Sequence, residues 1–150
     1  MSKLDFSFDL TSQPDELMKL SEDYAKLPKY LPDQLKSVKI IEKNGNVTKT
    51  EQIISFSTIV KKKIIQQSLH KKIGEDKLNT EIISGPAKGT IINSTFKKKD
   101  SGSEVIFEID LKLELKAKIL QPLIKKYYKA VLRGVLYRMN NDLPQVDTVN

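Results

Sequence analysis

The chain has 150 residues, a formal net charge of +7 and no cysteine. A chain of this length can bury a core as one domain, and the lack of cysteine excludes disulfides and thiolate zinc sites. No apolar run approaches the ~18 residues of a membrane span and the N-terminus has no apolar signal core, so we expect a cytoplasmic protein.

The first elements in the chain are a strand and one or two short helices. Phe6, Phe8 and Leu10 alternate with polar residues, which predicts a strand with one apolar face. The stretch TSQPDEL that follows has the capping residues, proline and acids typical of a helix start. Pro28 and Pro32 close this helical region around the segment LPKYLP.

From Leu35 onward apolar residues recur at every second position, and turn residues separate the runs. Asn44-Gly45 is the strongest hairpin signal, and further turns fall at GEDK, GPAKG and DSGS. This pattern predicts six consecutive antiparallel strands, or seven with the first one. The last of them, VIFEIDLKLEL at residues 105–115, has a continuous apolar face.

A long helix is predicted from about Ile119 to about Asn141, with Pro122 in its first turn. At about 100° per residue its apolar side chains share one face. That face comprises Leu120, Leu123, Ile124, Tyr127, Val131, Gly134 and Val135. Lys125, Lys126, Lys129 and Arg133 form a basic stripe on the opposite face. The apolar face must cover something apolar, and the preceding strand is the nearest candidate.

The element order predicts an α+β helix-grip fold. In this arrangement a six- to seven-stranded antiparallel sheet curls around the long C-terminal helix, which lies across its concave face. Two short helices follow the first strand. We expect one domain over residues 1–143 and a flexible tail over residues 144–150.

Three segments resemble the START-like or SRPBCC superfamily, the group of the polyketide cyclases, the coenzyme Q-binding proteins and the birch-pollen-allergen proteins. DYAKLPKYLPDQLKSVKIIEK resembles the family's segment of short helices that leads into the second strand. ISGPAKGTIINSTFKKK resembles its strand–Gly-Pro–strand turn, and the final strand and helix match in length and order. The resemblance covers about residues 4–142.

The resemblance implies a hydrophobic cavity between sheet and helix that binds lipids, isoprenoids, quinones or polyketides. Some members of the superfamily are cyclases, and others act at ribosomes or on protein partners. Coenzyme Q-binding relatives usually carry tryptophan about two residues before the aromatic at Phe96. That position is Ser94 in this chain, which has no tryptophan, and this departure argues against a quinone.

Cross-strand pairing and helix periodicity predict which side chains line such a cavity, if Phe107 and Leu111 point inward. The predicted lining is Phe8, Tyr24, Tyr30, Phe56, Gln67, Leu69, Thr80, Ile82, Ile92, Ser94, Phe96, Phe107, Ile109, Leu111, Leu120, Leu123, Ile124, Tyr127 and Val131. Polar residues within this set suit a cavity that holds water or polar ligand groups. The alternative is a solid core, with Tyr24 and Tyr30 as ordinary amphipathic packing.

The sequence offers little for catalysis or metal binding. His70, the only histidine, lies beside lysines near a turn and is expected to be a solvated residue at a strand end. With no second imidazole, a metal site is not expected. Glu108, Asp110 and Glu114 fall on the face opposite the predicted cavity, where we expect lysines as their cross-strand partners.

We therefore predict non-catalytic binding of an apolar small molecule, such as a lipid, an isoprenoid or a polyketide-like compound, with no cofactor. The first alternative is a docking module that presents the basic stripe to an anionic membrane, a ribosome or an acidic protein. The second is a cyclase-like enzyme. No aromatic residues interleave the stripe, so sequence-specific nucleic-acid binding is not expected.

Overall fold

The computed structural model describes residues 2–55 and 63–144, in which it contains seven strands, two α-helices and two 3₁₀ helices. The strands are β1 (Ser2–Leu10), β2 (Leu35–Asn44), β3 (Val47–Ser55), β4 (Lys63–Ile73), β5 (Lys77–Ile82), β6 (Ile91–Lys99) and β7 (Gly102–Leu111). The helices are α1 (Pro14–Ser21) and α2 (Gln121–Asp142), with 3₁₀ helices at Tyr24–Lys29 and Leu115–Leu120.

All seven strands form one antiparallel sheet in the order β1-β7-β6-β5-β4-β3-β2. Each strand from β2 to β7 pairs with its neighbour in the chain, and β1 closes against β7. The order of elements confirms the predicted α+β helix-grip fold. The predicted tail lies outside the described residues from residue 145 onward, as does the predicted lining residue Phe56.

At two turn positions the backbone adopts a positive φ angle, which glycine tolerates better than other residues. Gly45 has φ +64°, and the β2–β3 register pairs Asn44 with Val47, so Gly45 and Asn46 make the turn rather than Asn44-Gly45. Gly102 begins β7 with φ +134°, and a Cβ there would lie 2.1 Å from the Leu10 carbonyl oxygen. Only a glycine fits that approach of the two strands.

The strand predicted over residues 105–115 ends earlier, at Leu111. The Thr90 hydroxyl accepts a hydrogen bond from the Lys112 N–H and donates one to the Lys112 carbonyl, each at 3.0 Å. The Glu114 N–H then donates to the Pro86 carbonyl at 2.9 Å. The chain leaves the sheet at these contacts, so Leu113 lies between β7 and the 3₁₀ helix Leu115–Leu120, and Leu115 begins that helix.

The main core lies where β1, β6 and β7 meet the last turns of α2. Phe107 stacks against Phe6 with ring centroids 5.1 Å apart, and Phe8 stacks against Phe107 at 6.1 Å. Val105 and Met139 are fully buried in the same cluster. This core holds one end of α2 against the sheet and leaves the middle of the helix to span the concave face.

Candidate functional site

A cavity of about 200 Å³ lies between the concave face of the sheet and α2. Its floor comes from β3, β4, β5, β6 and β7, and its roof from α2 and the region around the first 3₁₀ helix. That volume holds a small organic molecule rather than a few waters only. A neighbouring cavity of about 390 Å³ shares Ile54, Gln66, Tyr127 and Tyr128 with it.

Most of the cavity wall is apolar. Phe96 and Phe107 contribute from the sheet, and Leu132, Leu136 and Met139 contribute from α2. These side chains reach the cavity because β strands present alternate residues to one face and a helix repeats a face every three to four residues. The wall therefore offers dispersion and hydrophobic contacts along most of its surface.

Four polar residues of the wall, with the adjacent Thr50, form a chain of hydrogen bonds across β3, β4 and β5. The Ser68 hydroxyl donates to Gln52 Oε1 at 3.0 Å, and Gln52 Nε2 donates to the Thr50 hydroxyl. Thr50 Oγ1 lies 2.7 Å from His70 Nε2, and His70 Nδ1 lies 2.7 Å from Thr80 Oγ1. We call these five residues the His70 chain. Each of the five has at least one hydrogen-bond partner within the chain, as is usual for buried polar groups.

His70 is buried, so the prediction of a solvated histidine at a strand end is wrong. Its ring stacks on Tyr24 with centroids 4.1 Å apart, and both ring nitrogens have hydroxyl partners. Burial lowers the pKa of the His70 imidazole to about 4, because desolvation penalises the charged form. The ring is therefore neutral near pH 7.

Three tyrosines border the cavity, and burial raises the pKa of each phenol. The pKa of Tyr127 rises to about 12, and its hydroxyl donates to the Gln34 carbonyl at 3.2 Å. Burial and, to a smaller extent, the negative charge of Glu22 raise the pKa of Tyr24. Burial and, to a smaller extent, electrostatic repulsion from Tyr127 raise the pKa of Tyr128. All three hydroxyls keep their hydrogens at neutral pH.

Several predicted lining residues lie on the wall of this cavity. They are Tyr24, Thr80, Ile82, Ile92, Ser94, Phe96, Phe107, Tyr127 and Val131. Leu120 and Ile124 border the neighbouring cavity instead. Phe8 and Tyr30 are buried in the main core, and Ile109 and Leu111 are buried in a second cluster against which Leu123 packs.

The prediction that Gln67 and Leu69 face the cavity is wrong. In β4 the inward residues are Gln66, Ser68 and His70, and Gln67 instead donates a hydrogen bond at 3.3 Å to Glu51 on the outer face. A shift of one residue in a strand exchanges its two faces. The apolar side chain of Leu69 suggested the other phase, whereas the inner face of β4 is polar.

Other lining residues were absent from the predicted set. On α2 they are Tyr128, Leu132, Val135, Leu136 and Met139, and around α1 and the first 3₁₀ helix they are Ser21 and Leu27. The α2 residues continue the predicted apolar face by steps of three and four, so helix periodicity was a sufficient signal for them. Leu35 and Val38 of β2 complete the wall at the far edge of the sheet.

The basic stripe of α2 is divided between two environments. Lys129 Nζ lies 5.8 Å from the centroid of the Phe6 ring, and Arg133 Cζ lies 5.7 Å from that of Phe8. Lys126 is exposed, and Lys125 is half-buried. Half of the stripe therefore packs over aromatic rings of β1 as cation–π pairs.

The acids of β7 lie outside the cavity wall. Asp110 is opposite Lys3 of β1, with Lys3 Nζ 3.7 Å from its carboxylate, as expected for a cross-strand pair. Glu108 is opposite Asp5 and Asn93 rather than a lysine, so that part of the prediction is wrong. Glu114 lies beyond the end of the strand.

Neither a metal-binding cluster nor a membrane-spanning helix is found within residues 2–55 and 63–144. No group of three or more histidine, aspartate or glutamate side chains there is arranged to hold a metal ion. No helix in this part of the chain is both long and apolar enough to cross a membrane.

The comparisons with known proteins agree with this geometry. The family model described as "Polyketide cyclase / dehydrase and lipid transport" matches residues 11–140. No curated protein sequence matches the chain significantly. The solved structures that resemble it share the START-like fold at low identity.

Three of these structures illustrate the likeness. A protein from Thermus thermophilus, TTHA0849, has a TM-score of 0.80 at 15% identity, over 95% of this chain and 100% of that one. The Zhui aromatase/cyclase from Streptomyces sp. R1128 has a TM-score of 0.80 at 7% identity, over 94% and 92%. A START superfamily protein from Mycobacterium smegmatis has a TM-score of 0.74 at 9% identity, over 94% and 99%.

Proposed function

The chain belongs to the polyketide cyclase/dehydrase and lipid transport family, and from that premise we propose that it binds an apolar small molecule in the cytoplasm without transforming it. The ligand would be a lipid, an isoprenoid or a polyketide-like compound held between the sheet and α2. The observation that carries this proposal is the cavity of about 200 Å³, whose wall is mostly apolar. Apolar pockets with a few polar groups are the usual form of small-molecule sites.

The polar groups of the wall support binding over catalysis. General acid–base chemistry needs a titratable group that is free to exchange a proton near neutral pH. His70 has both nitrogens bonded to hydroxyls and a pKa lowered by burial to about 4. Glu108 and Asp110 are not part of the described cavity wall. The likeness to the Zhui aromatase/cyclase keeps a cyclase-like activity as an alternative.

Docking through the basic stripe to a membrane, a ribosome or an acidic protein is a separate hypothesis with less support. Lys129 and Arg133 lie over phenyl rings of β1, so part of their charge already has an intramolecular partner. Only Lys126 of the four is both exposed and away from these rings. The cavity has more support as a binding site, because its volume of about 200 Å³ and its mostly apolar wall suit an apolar ligand.

The proposal is tested by filling the cavity from the helix side. Val131 lines the cavity, whereas the adjacent Ala130 is exposed on another face of α2. We expect Val131→Trp to reduce binding of the neutral fluorescent probe N-phenyl-1-naphthylamine at least tenfold. Ala130→Trp, which adds the same indole outside the cavity, should leave the affinity within about twofold. Fluorescence titration measures both, and the unfolding midpoint checks that each variant is folded.

Native mass spectrometry of the purified protein supplies the second arm of this test. Recovery of a co-purifying apolar molecule would identify the ligand directly. If the wild-type protein binds no neutral apolar probe, or if Val131→Trp and Ala130→Trp bind it equally, the cavity is not a ligand site and the proposal fails.

A further inference from the structure

Thr50 is fully buried, so its hydroxyl hydrogen needs an acceptor inside the protein, and this need selects one tautomer of His70. Because Gln52 Nε2 donates to the Thr50 hydroxyl, the hydrogen of Thr50 is available to His70 Nε2. A neutral imidazole accepts at one nitrogen and donates from the other. Nδ1–H then donates to Thr80 Oγ1. Thr80 is the last member of the chain, and its own hydroxyl hydrogen has no acceptor among the described residues.

Thr80 lines the cavity, so this unused hydrogen is available to a ligand. Tyr24 and Tyr128 add two further phenolic hydroxyls on the wall, and within residues 2–55 and 63–144 neither has a hydrogen-bond partner. Both phenols stay protonated at neutral pH, since burial raises their pKa. Thr80, Tyr24 and Tyr128 therefore offer hydrogen-bond donors to a ligand, beside the Gln66 amide, which can both donate and accept.

The described part of the wall contains no lysine, arginine, aspartate or glutamate. An ionised ligand would lose its hydration there without gaining a counter-charge, at a large cost in free energy. The wall thus discriminates against carboxylates, phosphates and amines. It favours a neutral molecule that can accept hydrogen bonds.

We propose that the ligand is an uncharged apolar molecule with a hydrogen-bond-accepting oxygen, of the carbonyl type, that accepts a hydrogen bond from the Thr80 hydroxyl. This inference rests on the proposed function and names the chemical class of its ligand. The acceptor oxygen sits beside the His70 chain, and the hydrocarbon body lies along the apolar wall toward Phe96 and Phe107.

The test compares two neutral probes on matched variants. One probe is 6-propionyl-2-(dimethylamino)naphthalene, and the other is its 6-propyl counterpart, in which a methylene replaces the carbonyl. We expect Thr80→Val to weaken binding of the ketone about five- to tenfold, the equivalent of one hydrogen bond, and to leave the 6-propyl probe unchanged. Thr80→Ser retains the hydroxyl and should retain ketone affinity. Isothermal titration calorimetry measures every combination of probe and variant.

Thr48→Val is the control, because Thr48 is a buried threonine on the same inner face that does not line the cavity. Equal effects of Thr80→Val on both probes would overturn the inference and leave the proposed function standing. Loss of ketone selectivity in Ser68→Ala rather than in Thr80→Val would overturn the assignment to Thr80, since Ser68 is the other end of the chain. If neither probe binds the wild-type protein, the proposed function fails with it.

A second inference concerns the surface immediately before the N-terminal end of α2. In the 3₁₀ helix Leu115–Leu120, the side chains of Leu115 and Ile119 are 81% and 85% exposed. Lys116 and Lys118 alternate with them, and both are exposed. The chain has no acid from residue 115 to residue 141. We call Leu115, Lys116, Lys118 and Ile119 the apolar–basic tip.

The apolar–basic tip lies beside the neighbouring cavity, which Lys116 and Leu120 border. That cavity shares Tyr127 and Tyr128 with the ligand cavity, so a bilayer in contact with the tip would lie close to the ligand cavity. Two exposed aliphatic side chains among lysines match the boundary of an anionic bilayer, where acyl chains lie below negative headgroups.

We infer that the apolar–basic tip contacts an anionic lipid bilayer, into which Leu115 and Ile119 insert. The test is sedimentation with phosphatidylcholine vesicles that contain about 30 mol% phosphatidylserine, a lipid of the anionic kind that attracts basic segments. We expect Leu115→Ser/Ile119→Ser to reduce binding at least tenfold. Ile40→Ser/Ile41→Ser removes two exposed isoleucines of β2, which border neither of the two cavities, and should leave binding unchanged.

Charge variants separate the tip from the basic stripe. Lys116→Gln/Lys118→Gln should weaken binding and reduce its dependence on phosphatidylserine. If Lys125→Glu/Lys129→Glu/Arg133→Glu abolishes binding while the tip variants bind as the wild type does, the stripe is the docking surface and the inference about the tip is overturned. Absence of vesicle binding by the wild-type protein would also overturn it.

Discussion

At the scale of the residue, His70 determines the chemical character of the inner surface. It is the only histidine in the chain, and it folds into a neutral state between Thr50 and Thr80 with Tyr24 stacked on its ring. Protonating His70 would place a charge in a desolvated site, and Thr50 would then accept from Nε2–H and leave its own buried hydroxyl hydrogen without an acceptor. The fold therefore depends on the deprotonated imidazole.

This dependence predicts a loss of stability in mild acid. Unfolded His70 titrates near the ordinary histidine pKa of 6.5 and folded His70 near 4, so between these pH values the unfolded state binds more protons. Stability contributed by the neutral ring is present above about pH 6.5 and is lost as the pH falls toward about 4, by roughly 3 kcal/mol in all. Urea unfolding across this window measures the effect.

His70→Gln is the control for this prediction, because glutamine donates and accepts hydrogen bonds without titrating. The difference in unfolding free energy between the wild type and His70→Gln should shrink as the pH falls, since the carboxylates contribute to both proteins alike. A difference that stays constant from about pH 7 to about pH 4 would show that folded His70 titrates normally.

At the scale of the element, apolar periodicity predicted β1, β6, β7 and the apolar face of α2. It failed in β4, where IIQQSLHKKI has apolar residues in both phases. The inner phase holds Gln66, Ser68 and His70, which bond to neighbouring strands instead of to water. In the sequence, a polar inner face has the same pattern as a solvent-exposed outer face. The sequence therefore did not reveal which residues of β4 point into the cavity.

Two further features depended on contacts that are distant in the sequence. The end of β7 at Leu111 is set by Thr90, which lies more than twenty residues earlier in the chain and bonds Lys112. The orientation of the basic stripe depends on Phe6 and Phe8, at the opposite end of the chain. The local sequence pattern predicts whether a segment is a helix or a strand and which of its faces is apolar. Where an element ends and what it packs against depend on tertiary contacts.

At the scale of the whole molecule, the helix over the cavity is fastened at its C-terminal end to the segment that follows β1. Asn140 Oδ1 accepts a hydrogen bond from the Ser12 N–H at 2.8 Å, and Asn140 Nδ2 donates to Thr11 Oγ1 at 3.0 Å. The Ser103 hydroxyl donates to the Ser12 carbonyl and ties β7 to the same point. The opposite end of α2 follows the exposed apolar–basic tip.

This asymmetry predicts that α2 is anchored at one end and that the anchor stabilises the fold. Asn140→Ala leaves the buried N–H of Ser12 without its acceptor, which should lower the free energy of unfolding by about 1–3 kcal/mol. Asn141→Ala, at the adjacent exposed position, should change it by less than about 0.5 kcal/mol. Urea unfolding measures both. Equal stability of the two variants would mean that packing of Leu136 and Met139 holds the helix without this polar contact. A loss confined to Asn140→Ala, with faster hydrogen exchange in the last turns of α2, would show that Asn140 anchors the C-terminal end of the helix.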